Sequence, residues 1–185
     1  MIKKYNQYIN EELNFNFKNL YNGRIKNYPK IDSNDVDPYG EEDWDDDDLT
    51  PILKIAKKQG IPYDQITRLN CSDQKLTNLD GIENLINLKQ LYCYSNNLTS
   101  LEGIENLTKL ESLDCSFNKL FNLKGIENLS NLEFLFCFDN NLTNLDEIKS
   151  LINFEYLNCW NNDFSNEYKQ YLIEYCKNKK IYLTI

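Results

Sequence analysis

The chain has 185 residues, 41% of them hydrophobic and 26% charged, with a formal net charge of −9. That length suits one domain with an appendage, and the apolar share is enough for a packed core. No apolar run approaches the ~18 residues that mark a transmembrane helix, and no apolar stretch follows the basic start Met1-Ile2-Lys3-Lys4, so no secretory signal is read and a cytoplasmic location is expected.

Residues 1–31 form an aromatic, basic N-terminal segment with Tyr5, Tyr8, Phe15, Phe17 and Tyr21, six bases and two acids, a net +4. A helix is plausible there over Lys4–Phe17. Residues 32–48 hold ten acids and no base, with Pro38 and Gly40 among them. Such a stretch has too little apolar surface to offset the entropy of ordering, and it reads as a disordered acidic linker. Taking −10 from the total of −9 leaves +1 for everything else, so the acidity is local. A near-neutral remainder disfavours nucleic acid, whose phosphates need clustered Lys and Arg. The run Glu41–Asp48 lacks the glycine and terminal glutamate of an EF-hand loop, so it reads as solvated rather than as a calcium site.

Residues 49–65 read as an N-terminal cap. Thr50-Pro51 offers an N-cap residue followed by proline at the first helical position, and a helix is predicted over Pro51–Gln59 with Gly60 as its stop.

From Ile66 to Phe164 the sequence repeats. Cys71, Cys93, Cys115, Cys137 and Cys159 stand 22 residues apart. Around each runs the same phrase, as in Leu91-x-Cys93-x-x-Asn96-x-Leu98-x-x-Leu101-x-x-Ile104-x-x-Leu107-x-x-Leu110. Gln74 replaces the asparagine in the first unit, and Glu147 replaces the glycine found at Gly81, Gly103 and Gly125. An odd ladder of five cysteines does not pair off into disulfides, and the absence of histidine argues against zinc. The thiols read as small inward hydrophobes, suited to a reducing compartment. A fixed short period is the signature of a solenoid whose units bury their apolar sides only against each other.

The phrase resembles the leucine-rich-repeat family, in the 22-residue class seen in phosphatase-regulator and internalin-like proteins. In residue usage, with only two arginines and much Asn, Ile, Lys and Tyr, the chain also looks like such proteins of large DNA viruses or AT-rich microbes. The resemblance implies an α/β fold: a leucine-rich-repeat solenoid, a short right-handed coil with a parallel concave β-sheet, convex 3₁₀ or short helical turns, and helical caps. The repeated asparagine is expected to bridge its own turn and the next coil. Residues 165–185 read as a C-terminal cap, a helix over about Asn166–Asn178 with Tyr168, Tyr171, Leu172 and Tyr175 at helical spacing, then a strand over Ile181–Ile185.

In this architecture the residues flanking Leu-x-Cys line the concave face. Eight of those outward positions are aromatic: Tyr92, Tyr94, Phe117, Phe134, Phe136, Phe138, Tyr156 and Trp160. A face that met only water would be polar, whereas rings that each cover roughly 150–250 Å² form a patch of the kind that marks binding sites. The expectation is therefore a non-catalytic protein–protein interaction module that binds an unknown protein or peptide partner on this face. No nucleic acid, membrane, metal or cofactor is expected. A monomer is expected, with self-association possible. Two alternatives stay open, a structural or self-associating virion component and the substrate-reading part of an enzyme complex. Aromatic pairs that merely stabilise the sheet, or cover of the face by residues 1–31, would also account for the rings. With no histidine and only Cys176 outside the ladder, catalysis has little to work with.

Overall fold

The computed structural model describes residues 49–185. The expectations for residues 1–31 and 32–48 lie outside the described residues. Within them the chain coils into a solenoid whose six three-residue strands form one parallel sheet in sequence order. The strands are β1 (Arg68–Asn70), β2 (Gln90–Tyr92), β3 (Ser112–Asp114), β4 (Phe134–Phe136), β5 (Tyr156–Asn158) and β6 (Tyr182–Thr184). Pairing is in register at the repeat spacing, so Leu69, Leu91, Leu113, Leu135 and Leu157 stack in one column. That column, the cysteines and the leucines and isoleucines of the far side form one continuous buried core. The convex side is made of short 3₁₀ turns, Ile82–Asn84, Ile104–Asn106 and Ile126–Asn128, each dropping its isoleucine into the core. Apolar residues three apart suit these tight turns because a 3₁₀ coil has three residues per turn.

A buried polar ladder ties coil to coil. The Asn96 amide donates to the Cys71 and Cys93 carbonyls, both at 3.0 Å, while its oxygen accepts from Leu76 N at 2.9 Å. Asn118 repeats this one coil on with Cys93, Cys115 and Leu98, and Asn140 with Cys115, Cys137 and Leu120. Asn162 closes the series on Cys137, Cys159 and Leu142. The bridge therefore runs to the preceding coil, not to the next one as the pattern suggests. The direction explains Gln74. Among the described residues no coil precedes the first repeat, and the exposed Gln74 donates its amide to its own coil at Ser72 O, 3.1 Å.

The cysteine thiols lie beneath the same strands, all buried and none in a disulfide. Cys71 Sγ donates to Tyr92 O at 3.4 Å and Cys115 Sγ to Phe136 O at 3.5 Å, again across neighbouring coils. Burial pushes Cys71 and Cys159 up to about 12 and the three between them well above the ordinary thiol range. Such thiols carry almost no thiolate at neutral pH.

Gly81 and Gly103 have φ of +97° because each convex turn crosses close to its predecessor. A Cβ on Gly103 would meet Ile82 Cγ2 at 2.9 Å, and one on Gly81 would meet Thr50 Oγ1 at 2.3 Å. The contact at Gly81 is the seat of the N-terminal cap, helix α1 (Pro51–Lys57), whose N-cap Thr50 accepts from Leu53 N at 3.3 Å and whose Ile52 and Ala56 are buried. Where Glu147 replaces the glycine, the left-handed turn is gone. Leu145 has φ −138° and a longer 3₁₀ segment runs over Asp146–Ser150.

Helix α2 (Asn166–Lys179) and β6 close the other end. Ser165 caps α2 through Tyr168 N at 3.1 Å, and the Tyr168 hydroxyl accepts from Leu145 N at 2.7 Å. The inward face of α2 is Leu172 and Cys176, with Tyr168 and Tyr175 partly buried, whereas Tyr171 stays exposed over Lys149.

Two predictions follow from the ladder and the thiols. Asn118→Ala strands a buried N–H and two carbonyls, so urea unfolding should show a loss of about 3 kcal/mol or more, against under about 1 kcal/mol for Gln74→Ala, whose bond is local. In the native protein all six thiols should resist a thiol-titrating reagent, with full labelling only after unfolding.

Candidate interaction face

Alternation along each strand sends one column inward and its neighbours outward. The inward leucines are fully buried, so the outward residues form the concave face. Register places them in columns: Arg68, Gln90, Ser112, Phe134, Tyr156 and Tyr182 in one, and Asn70, Tyr92, Asp114, Phe136, Asn158 and Thr184 in the next. Just beyond the strands, Tyr94, Phe138 and Trp160 share a repeat position, and Phe117 lies one residue further along its coil.

The expected aromatic residues do meet. Phe138 stacks on Trp160 at 5.4 Å with planes 9° apart, and Phe117 meets Phe138 edge-on at 5.1 Å. Phe136 lies 5.2 Å from Tyr156, which in turn stacks on Tyr182 at 5.5 Å. Two aromatic runs thus cross the C-terminal half of the sheet. Phe136 and Phe138 are buried within them, and Tyr92, Tyr94, Phe117, Phe134, Tyr156 and Trp160 are half-buried. Such pairs also stabilise the sheet, each by about 0.2–1 kcal/mol.

Tyr182 is a member that the repeat phase does not reveal. It follows Tyr156 by 26 residues rather than 22, because α2 is inserted before β6. The available signal was the strand pattern of the last residues, not the periodicity. Tyr182 is 69% exposed and extends the ring column to the sheet edge.

The backbone beside the rings has a fixed strain. The residue before each ladder asparagine, and before Gln74 in the first coil, is left-handed: Asp73, Ser95, Phe117, Asp139 and Asn161 all have φ between 52° and 58°. Asp and Asn tolerate this conformation, but a phenylalanine there costs on the order of 1 kcal/mol. The constraint places the Phe117 ring against Phe138.

Carboxylates sit among the rings. Asp114 lies between Tyr92 and Phe136 in its column. One of its oxygens accepts from Ser116 N at 3.1 Å and Ser116 Oγ at 2.7 Å. Burial raises its carboxyl to about 6 against those two bonds, which lower it. Asp139 is raised by burial too, with Asn161 donating to one oxygen. Its other oxygen is buried with no hydrogen-bond partner, as are Asn158 Oδ1 and Ser112 Oγ. Tyr94 is raised by its burial and by the nearby charges of Asp73 and Asp114. At the N-terminal end the two cations are engaged, Arg68 with Gln90 at 2.7 Å and Lys89 with Glu111 at 2.7 Å. Among the described residues no three His, Cys, Asp or Glu side chains converge as metal donors, and no helix is long and apolar enough to cross a membrane.

Comparison with known proteins accords with this architecture. The family model described as leucine-rich repeats in two copies matches residues 86–131. The functional domain of InlJ from Listeria monocytogenes, described as including a cysteine ladder, is 38% identical over 55% of this chain and 22% of its own, with a TM-score of 0.52. A leucine-rich-repeat protein of Leptospira interrogans is 32% identical over 56% of this chain and 27% of its own, TM-score 0.52. Internalin C2 of Listeria monocytogenes is 25% identical over 64% of this chain and 51% of its own, TM-score 0.58. The chain thus spans between about a fifth and a half of these relatives. No curated protein matches the sequence.

The Asp114 shift sets a pH dependence. Its folded carboxyl is raised above the unfolded value of about 3.9, so the native state holds the proton more tightly and stability falls as pH rises between the two values. Asparagine keeps an oxygen for Ser116, as Asn70 does for Ser72 N at 3.0 Å in β1. Asp114→Asn should therefore be more stable than wild type at pH 8 by about 1–3 kcal/mol, an advantage that vanishes near pH ~4, as read from denaturation curves across pH.

Proposed function

We propose, taking the chain as the leucine-rich-repeat protein that its repeats, fold and relatives make it, that it is a non-catalytic module holding a protein or peptide partner on its concave aromatic face. Repeats of this kind are interaction modules. The observation that carries the finer reading is the pair of ring runs from Phe117 to Trp160 and from Phe136 to Tyr182. Rings that only stabilised a sheet would have no need of the strained Phe117 or of an exposed terminal Tyr182. Aromatic side chains give large contact area at low entropic cost, and binding hot spots are enriched in them. Six strands at ~4.8 Å spacing make a face roughly 24 Å across, the width of a peptide segment or a helix.

The absence of catalysis in this reading is supported by the thiols. Cys176 is itself buried and raised to about 11, so the one cysteine outside the ladder is a poor nucleophile. Carboxylates along the face would repel phosphate backbones, which supports a protein rather than a nucleic acid as ligand. An intracellular, reducing compartment suits the column of free thiols. A second reading, self-association, is favoured by the outer side of β6 beside Tyr182, which pairs with no strand among the described residues.

Phe136 and Phe138 are buried, so their removal would report on folding. The test is affinity capture with wild type and a Tyr94→Ser, Trp160→Ser variant, both shown to be folded by circular dichroism and urea unfolding. A protein retained by wild type and reduced at least tenfold in the variant is expected. Equal retention would remove the aromatic face from the reading, and a mass that rises with concentration in wild type alone would favour self-association.

A further inference from the structure

We propose that the occupant of the concave face is a peptide segment that presents a lysine or arginine side chain to the Asp139 carboxylate, next along the chain to the ring of Phe138. This rests on the reading of the concave face as the binding surface and names the chemistry of what binds there.

Asp139 follows Phe138 directly and shares its repeat position with Phe117 on one side's diagonal ring contact and Asn161 on the next coil. Asn161 Nδ2 donates to its Oδ1, while Oδ2 is buried and has no hydrogen-bond partner. A buried carboxylate oxygen without a donor is an unusual thing for a fold to keep, since native structures pair nearly all such groups. Ring faces carry negative potential and attract cations, most strongly at tryptophan. A donorless carboxylate oxygen on the residue after Phe138, whose ring meets those of Phe117 and Trp160, therefore matches a guanidinium or ammonium group, and matches neither an anion nor an apolar side chain.

One further acceptor on the same face points the same way. Asn158 Oδ1 precedes Trp160 by two residues, on the outward column of β5, and is buried without a partner. Among the described residues, the outward and strand-entry positions also hold Asp73, Glu111, Asp114, Asp139 and Glu155, with Arg68 and Lys89. Both cations stand at the N-terminal end and are engaged by Gln90 and Glu111. Asp139 and Glu155 stand in the half that carries the rings, and a cationic segment complements both the carboxylates and the rings.

The probe is acetyl-Phe-Arg-Phe-Arg-amide beside its citrulline counterpart, which has the same shape and no charge, titrated calorimetrically into the full chain. The variants are Asp139→Asn, which keeps an oxygen for Asn161, and Trp160→Ser. The arginine peptide should bind wild type at least tenfold tighter than the citrulline peptide. Asp139→Asn should abolish that preference, and Trp160→Ser should weaken both peptides. Equal binding of the two peptides that is lost in Trp160→Ser would overturn the cationic inference and leave the concave face as the site. A preference for arginine that survives both substitutions would place the cation on another part of the chain, such as residues 32–48, and overturn the inference together with the reading beneath it. Binding of neither peptide would also overturn the inference.

Discussion

The rest of the structure depends on one buried polar contact repeated four times. Each of Asn96, Asn118, Asn140 and Asn162 satisfies its own coil's cysteine carbonyl, the preceding coil's cysteine carbonyl and a backbone N–H of that preceding coil. A coil 22 residues long leaves its sheet at a sharp corner, and the backbone groups there have no strand partner of their own. An asparagine amide has donors and an acceptor at the right separation to serve all of them. It also locks the stacking register, because a slip of one residue would leave several buried groups unpaired. The leucine columns supply the apolar driving force and resist the same slip, which would turn them from the core to the opposite face.

That corner also shapes the face. To bring the asparagine under the sheet, the residue before it must be left-handed, whatever its type. The side chain at that position is thereby held at the rim of the concave surface. Asp73, Asp139 and Asn161 accept the conformation readily, whereas Phe117 bears it and places its ring against Phe138. The strain of the scaffold and the arrangement of the candidate binding surface have the same origin.

The two ends of the solenoid differ because they solve different problems. At the N-terminal end α1 lies against Gly81, where no side chain would fit, and Gln74 turns its amide on its own coil. At the C-terminal end the fourth convex turn loses its glycine and lengthens, and α2 brings Tyr168 to the Leu145 N–H. The sheet then continues into β6, so the aromatic column runs one strand past the repeats.

Much of this was legible in the residues themselves. A period of 22 with Leu-x-Cys, Asn and Leu-x-x-Ile at fixed places determines which side chains face inward, since strand alternation and three-residue turns leave little choice. The same counting identified Tyr92, Tyr94, Phe117, Phe134, Phe136, Phe138, Tyr156 and Trp160 as outward neighbours. What periodicity does not encode is direction and contact across coils. It suggested a bridge from the asparagine to the next coil, and only the stacked backbone showed that the bridge runs to the preceding one. It did not reveal that Phe136 and Phe138 are buried by neighbouring rings, that Tyr182 joins them, or that an oxygen of Asp139 is left without a donor. Those are properties of residues brought together from different coils, and a one-dimensional repeat holds no record of the distances between them.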